Sequence, residues 1–149
     1  MKRTVALLIL ISLVLLTSCS KKRCAEEILL EFCDEYPISS NVYSSLAGES
    51  NAGYIDSEML YALYSTEKFP VREFSLVLYG KVDTVREIGV FVTEKGEDRI
   101  ELTELLSKRI SFLSSLSDGE GFVKKYKGVL VYGFVEDSSY VEALFDKII

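Results

Sequence analysis

The sequence predicts an α+β fold: an antiparallel sheet of about four strands, arranged as two hairpins, with helices packed on it. Three observations point there. Apolar residues recur at helical spacing in four segments. Paired runs of β-branched and aromatic residues lie between those helices. The chain of 149 residues suits one domain, and nothing in it repeats.

The order starts with an address. Lys2 and Arg3 form a positive n-region, and Val5 to Leu16 form an apolar run of about a dozen residues. That is short of the ~20 residues a membrane-spanning helix needs and matches the h-region of a secretory signal. The next residues, Leu16-Thr17-Ser18-Cys19, resemble the lipobox of bacterial lipoproteins. The resemblance implies cleavage before Cys19, with residues 1–18 removed, and diacylglycerol on the Cys19 sulfur, its acyl chains of the palmitate type. Two such chains suffice for stable anchoring. Without Lys2 and Arg3, 15 basic and 23 acidic groups remain, a charge of −8.

Residues 19–24 then form a lipidated cysteine and a short basic tether, and residues 25–149 a single extracytoplasmic domain. Two readings of Ser20-Lys21-Lys22-Arg23 stay open, a solvated linker or a basic segment drawn to anionic lipid. Ala25, Ile28, Leu29, Phe32, Cys33 and Tyr36 share one helical face. Cys24 and Cys33 are nine residues apart, roughly 13.5 Å along a helix, so an intrachain disulfide is not expected.

Pro37 to Gly53 is serine-rich and reads as a loop. A short helix follows, capped by Asp56 or Ser57, with Met59, Leu60, Leu63 and Tyr64 inward. Phe74 to Tyr79 and Ile88 to Thr93 form the first hairpin, joined through Gly80 to Arg86. Asp98 and Glu101 are spaced as a capping box opening a longer helix, whose stripe is Leu102, Leu105, Leu106, Ile110, Leu113 and Leu116. Phe122 to Tyr126 and Val129 to Val135 form the second hairpin around Lys127-Gly128. Ser139 and Glu142 suggest another capping box, for a last helix with Val141, Leu144, Phe145 and Ile148 inward.

Several stretches resemble a bacterial lipoprotein family, domain of unknown function 4358. They are Leu60-Tyr61-Ala62-Leu63-Tyr64, Val71-Arg72-Glu73-Phe74, Arg86-Glu87-Ile88-Gly89-Val90-Phe91, Leu106-Ser107-Lys108-Arg109 and Tyr126-Lys127-Gly128-Val129-Leu130-Val131. The chain departs from the family at Ser65, where glycine commonly follows the Leu-Tyr pair, and in the shorter connection Ser117 to Lys125. The resemblance implies a membrane-anchored domain outside the cytoplasm, mostly in Gram-positive bacteria. It implies no activity.

Composition narrows the chemistry. A chain with no histidine has neither the commonest metal ligand nor the commonest general base. An acidic pI near 4.8 speaks against nucleic acid. Ser65-Thr66-Glu67-Lys68 fits the Ser-x-x-Lys pattern of penicillin-binding enzymes, but its Ser-Asp-Asn and Lys-Thr-Gly partners are missing. The acids Glu97, Asp98, Glu101 and Glu104, and Asp118 with Glu120, lack the spacing of a calcium loop.

Arg109 lies beside the apolar stripe of the long helix. Either it snorkels, or it contacts a carboxylate or phosphate ligand. The strands also suggest two faces. One is aliphatic, with Leu76, Leu78, Ile88, Val90, Val92, Val129, Val131 and Val135; the other carries Val77, Tyr79, Phe91, Leu130, Tyr132 and Phe134 beside a gap at Gly89. Left open, the face of Tyr79, Phe91, Tyr132 and Phe134 is a candidate interaction surface. The alternative is that the N-terminal helices cover it.

The functional expectation is a non-catalytic, lipid-anchored binding module facing outside the cytoplasm. Its partners are the membrane, through the anchor, and an envelope protein. No nucleic acid, metal or cofactor is expected beyond the covalent diacylglycerol. A small-ligand-binding accessory of a transporter or envelope system is the alternative.

Overall fold

A computed structural model describes residues 23–36, 38, 40–47, 53–81, 84–93 and 96–149. The expected signal peptide, residues 1–18, and Cys19 lie outside them.

The chain folds into an α+β domain of helix α1 (Ala25–Glu35), strand β1 (Val42–Ser44), helix α2 (Ser57–Tyr64), strands β2 (Glu73–Lys81) and β3 (Thr84–Val92), helix α3 (Gly96–Leu116), strands β4 (Glu120–Lys125) and β5 (Val129–Val135), and helix α4 (Ser138–Ile148). The strands form one antiparallel sheet in the order β1-β2-β3-β5-β4. It has five strands rather than four. The added strand, β1, lies within the serine-rich stretch, where three residues are too few to display a period of two. Its Val42 pairs with Val77, and the Ser45 hydroxyl bonds the Phe74 backbone just beyond.

Local chemistry sets the element ends. Cys24 caps α1: its sulfur accepts the Glu27 N–H at 3.4 Å, while the Glu27 carboxylate accepts the Cys24 N–H at 3.1 Å. This is a reciprocal capping box with a thiol in the serine position. Asp56 caps α2 through the Met59 N–H. Two expected caps move. The long helix starts at Gly96, so Asp98 sits within its first turn. In α4 the cap is Asp137, not Ser139, and the Glu120 carboxylate accepts both the Ser138 N–H and its hydroxyl. Those bonds hold Glu120 below the usual carboxylate range. Gly80 takes a φ of 109°, and a Cβ there would meet the Thr84 carbonyl oxygen at 1.8 Å. Only glycine fits that approach.

Helices cover both faces of the sheet. Helices α1 and α4 pack Ile28, Leu29, Phe32, Val141 and Phe145 on Val77, Ile88, Val90, Val131 and Val135. Helices α2 and α3 pack Leu60, Tyr64, Leu102, Leu106 and Leu113 on Phe74, Leu76, Phe91, Leu130, Tyr132 and Phe134. Met59 and Leu116, expected inward, are 56% and 58% exposed.

Strand β2 therefore runs with the opposite parity to the one its chemistry suggests. Leu76 pairs with Gly89, and Val77 with Ile88. Leu76 thus joins the aromatic face, and Val77 and Tyr79 join the aliphatic one. Nearly every position from Phe74 to Tyr79 is apolar, so no polar–apolar alternation marks the inward set, and pairing alone fixes the register. The gap at Gly89 is filled by the Phe91 ring and Leu76, which a Cβ there would meet at 2.6 and 2.7 Å.

Candidate functional site

The expected interaction face is core. Phe91, Tyr132 and Phe134 are fully buried under α2 and α3. The covering helices are not the N-terminal pair, since α1 lies on the opposite face. Tyr79 is on that opposite face too, its hydroxyl 3.5 Å from the Glu136 carboxylate. The four residues form no common surface.

Arg109 does clamp a carboxylate, and that carboxylate is the protein's own. On β3, Glu87 is fully buried, and its Oε2 accepts from Arg109 Nη2 at 2.8 Å and Nε at 3.2 Å. Its Oε1 accepts the Tyr64 hydroxyl of α2 at 2.7 Å. The Arg109 guanidinium lies 5.6 Å from the centroids of the Tyr64 and Phe112 rings. Helices α2 and α3 are thereby fastened to the sheet by one polar knot.

The electrostatics fit that closure. Burial, and then the Glu87 charge, push the Tyr64 hydroxyl well above the usual tyrosine range, so it acts as a neutral donor. Burial draws Arg109 down, but the hydrogen bonds and charge of Glu87 outweigh it and raise its pKa. Tyr132 packs edge-on to Tyr64, and its buried hydroxyl has no hydrogen-bond partner among the described residues. Burial and the neighbouring Glu87 raise its pKa as well. The knot's charges neutralise one another, and Arg109 is already engaged by Glu87.

Helical periodicity marks Arg109 as a candidate contact and Tyr64 as a buried residue, but it gives Glu87 no role and does not join the three. The signal was present: Glu87 stands on a β3 face otherwise made of Val85, Gly89 and Phe91, and Arg109 stands on an apolar helical stripe. Opposite charges at two core-facing positions call for each other.

The remaining candidates disperse. Ser65 is the left-handed cap of α2, while Lys68 ion-pairs with Glu101 at 3.6 Å. Glu120 serves α4. Among the described residues, no group of three or more Cys, His, Asp or Glu could hold a metal, and no helix is long and apolar enough to cross a membrane.

One concave surface stands out. A groove of about 340 Å³ runs between α2 and the β1–β2 edge of the sheet, lined by Tyr43, Ile55, Met59, Ala62, Leu63, Leu76 and Leu78. Apart from the Tyr43 hydroxyl, the side chains lining it carry no hydrogen-bonding group. Tyr43 falls in the stretch that reads as loop and Ile55 between that stretch and the α2 cap, so sequence periodicity does not mark them.

Comparison of the chain with protein-family models, curated proteins and solved structures yields no match.

Proposed function

We propose that this chain is a lipid-anchored, non-catalytic binding module of the cell envelope, held outside the cytoplasm by diacylglycerol on Cys19. It belongs, on this reading, with the lipoproteins of domain of unknown function 4358. The resembling stretches fall on α2, the start of β2, β3, the middle of α3 and the β4–β5 turn. The groove beside α2 is its contact surface, and the occupant is an apolar segment of an envelope protein.

The groove carries the reading. Its lining has no charged or amide group to orient a polar solute, so it suits apolar side chains. Its rim residue Met59 is 56% exposed and unbranched, a side chain that adapts to a partner. Arg109, the candidate anion contact, is meanwhile tied up in the Glu87–Arg109–Tyr64 knot. The volume of about 340 Å³ also supports the second reading, a small apolar ligand.

A photoreactive residue in place of Ala62, which is exposed at the groove, tests this in native membranes. The expected result is one protein adduct that disappears when Met59→Glu is added without change in thermal stability. An adduct indifferent to Met59→Glu, or lipid adducts alone, would refute the groove as the protein contact.

A further inference from the structure

We infer that the end of the domain carrying Arg23 rests on anionic lipid headgroups through Lys125, Lys127 and Lys147. This rests on the anchor proposed above.

Chain length limits how far the anchor lies from the fold. Only residues 20–22 separate Cys19 from Arg23, so the lipidated sulfur's backbone lies at most about 14 Å from that of Arg23. Arg23 is not free to wander. It donates to the Ile148 carbonyl at 2.6 Å and pairs with Glu31. The Ala25 N–H next to it bonds the Glu73 carboxylate at the start of β2, at 3.0 Å. The membrane is therefore held close to one end of the sheet.

The β4–β5 hairpin tip lies at that same end. Asp146, two residues before Ile148, accepts from Lys124 at 2.8 Å and from the Tyr126 hydroxyl at 2.9 Å. The exposed Lys125 and Lys127 flank Tyr126, and the exposed Lys147 lies in the last turn of α4.

Unpaired lysines mark the surface that meets lipid. Acids at this end are engaged within the fold: Glu31 with Arg23, Glu73 with the Ala25 N–H, Glu27 with the Cys24 N–H, Glu26 with the Ser44 hydroxyl, Glu101 of α3 with Lys68, and Asp146 and Glu142 with Lys124. Lys125, Lys127 and Lys147 make no ion pair among the described residues. At the other end of the β4–β5 ladder, where Glu120 pairs with Val135, stand Asp118, Glu120, Glu136 and Asp137. A mature chain of charge −8 is repelled by an anionic surface in most orientations. With this end down, three lysines without an ion-pair partner meet the headgroups, and Asp118, Glu120, Glu136 and Asp137 point away. Each lysine near such a surface is worth about fivefold in the docked-to-free ratio.

The test uses host-processed protein, its Cys19 lipid first verified by mass. It is reconstituted in vesicles of phosphatidylcholine alone, or with about one part in four phosphatidylglycerol. Acetylation by a water-soluble reagent is then followed lysine by lysine. Lys125, Lys127 and Lys147 should react at least about fivefold more slowly on the anionic vesicles. Lys108, on the exposed side of α3, should not change, and roughly 0.5 M salt should remove the difference. In a Lys125→Gln/Lys127→Gln variant, Lys147 should return to its neutral-vesicle rate.

Equal rates on the two vesicle types would overturn the docking and leave the anchor standing. Protection in intact cells but not on anionic vesicles would overturn it in favour of a protein contact. A chain whose Cys19 carries no lipid would refute the anchor itself, and the docking with it.

Discussion

Replacing Arg109 with methionine probes the knot that joins three elements. Glu87 is fully buried, and the Arg109 side chain is only 14% exposed. The substitution keeps most of the stem's packing but leaves the Glu87 carboxylate with the Tyr64 hydroxyl as its remaining partner in the knot. Stranding a buried charge in this way costs about 3–5 kcal/mol. For a domain of this size that is a melting temperature lower by roughly 10–20 °C. Removing the polar groups together behaves differently, because burying the pair already carried a desolvation cost. The triple variant Glu87→Leu/Arg109→Met/Tyr64→Phe should lie within about 2 kcal/mol of the parent. Urea unfolding followed by circular dichroism measures both. A loss below about 1 kcal/mol for Arg109→Met, or a triple variant less stable than the single one, would refute the reasoning.

Three further outcomes are expected. Ser65 caps α2 with a φ of 51°, a conformation that favours glycine, so Ser65→Gly should raise stability by about 0.5–1 kcal/mol in the same urea assay. Tyr64 and Tyr132 hold their protons in the fold well above the value near 10 at which an unfolded chain releases them. Above that pH the folded state binds more protons at these two groups, so their joint contribution to stability is constant below about pH 10 and falls above it by nearly 3 kcal/mol per pH unit. Tyr132→Phe should make the measured slope above pH 10 shallower by about 1.4 kcal/mol per pH unit and, by deleting an unpartnered buried hydroxyl, cost little or nothing at pH 7. Burial, with Asp34 adding, pushes the Cys33 thiol up to about 11, so thiol reagents at pH 8 should modify it far more slowly than an ordinary cysteine, as peptide mass spectrometry would show.

Periodicity made the architecture legible where one face of an element is polar. The acids opposite Ile28, Leu29 and Phe32 on α1 fixed that helix and its buried side. Val129 to Val135 read correctly as a strand with the right alternation, since Gly133 and the valines separate cleanly from Leu130, Tyr132 and Phe134. Parity was lost in β2, where both faces are buried and only pairing with β3 decides which side each residue takes. Strand β1 was hidden because its three residues are stabilised by an edge, not by a pattern of their own. Caps were misplaced at Asp98 and Ser139 because a spacing rule marks several candidates and the tertiary neighbour, such as Glu120, selects among them. Arg109 was legible as an oddity on an apolar stripe. Its partner was not, because Glu87 reaches it across 22 residues of sequence, and no local spacing encodes that contact.

Lipid on Cys19 is the proposed anchor that holds the chain at the membrane. The mass of the N-terminal peptide from protein purified out of native membranes tests it most directly. The expected peptide begins at Cys19 and carries diacylglycerol, and Cys19→Ser abolishes both the modification and membrane retention. A peptide that begins elsewhere, or a Cys19 with an unmodified thiol in membrane-retained protein, would contradict the claim.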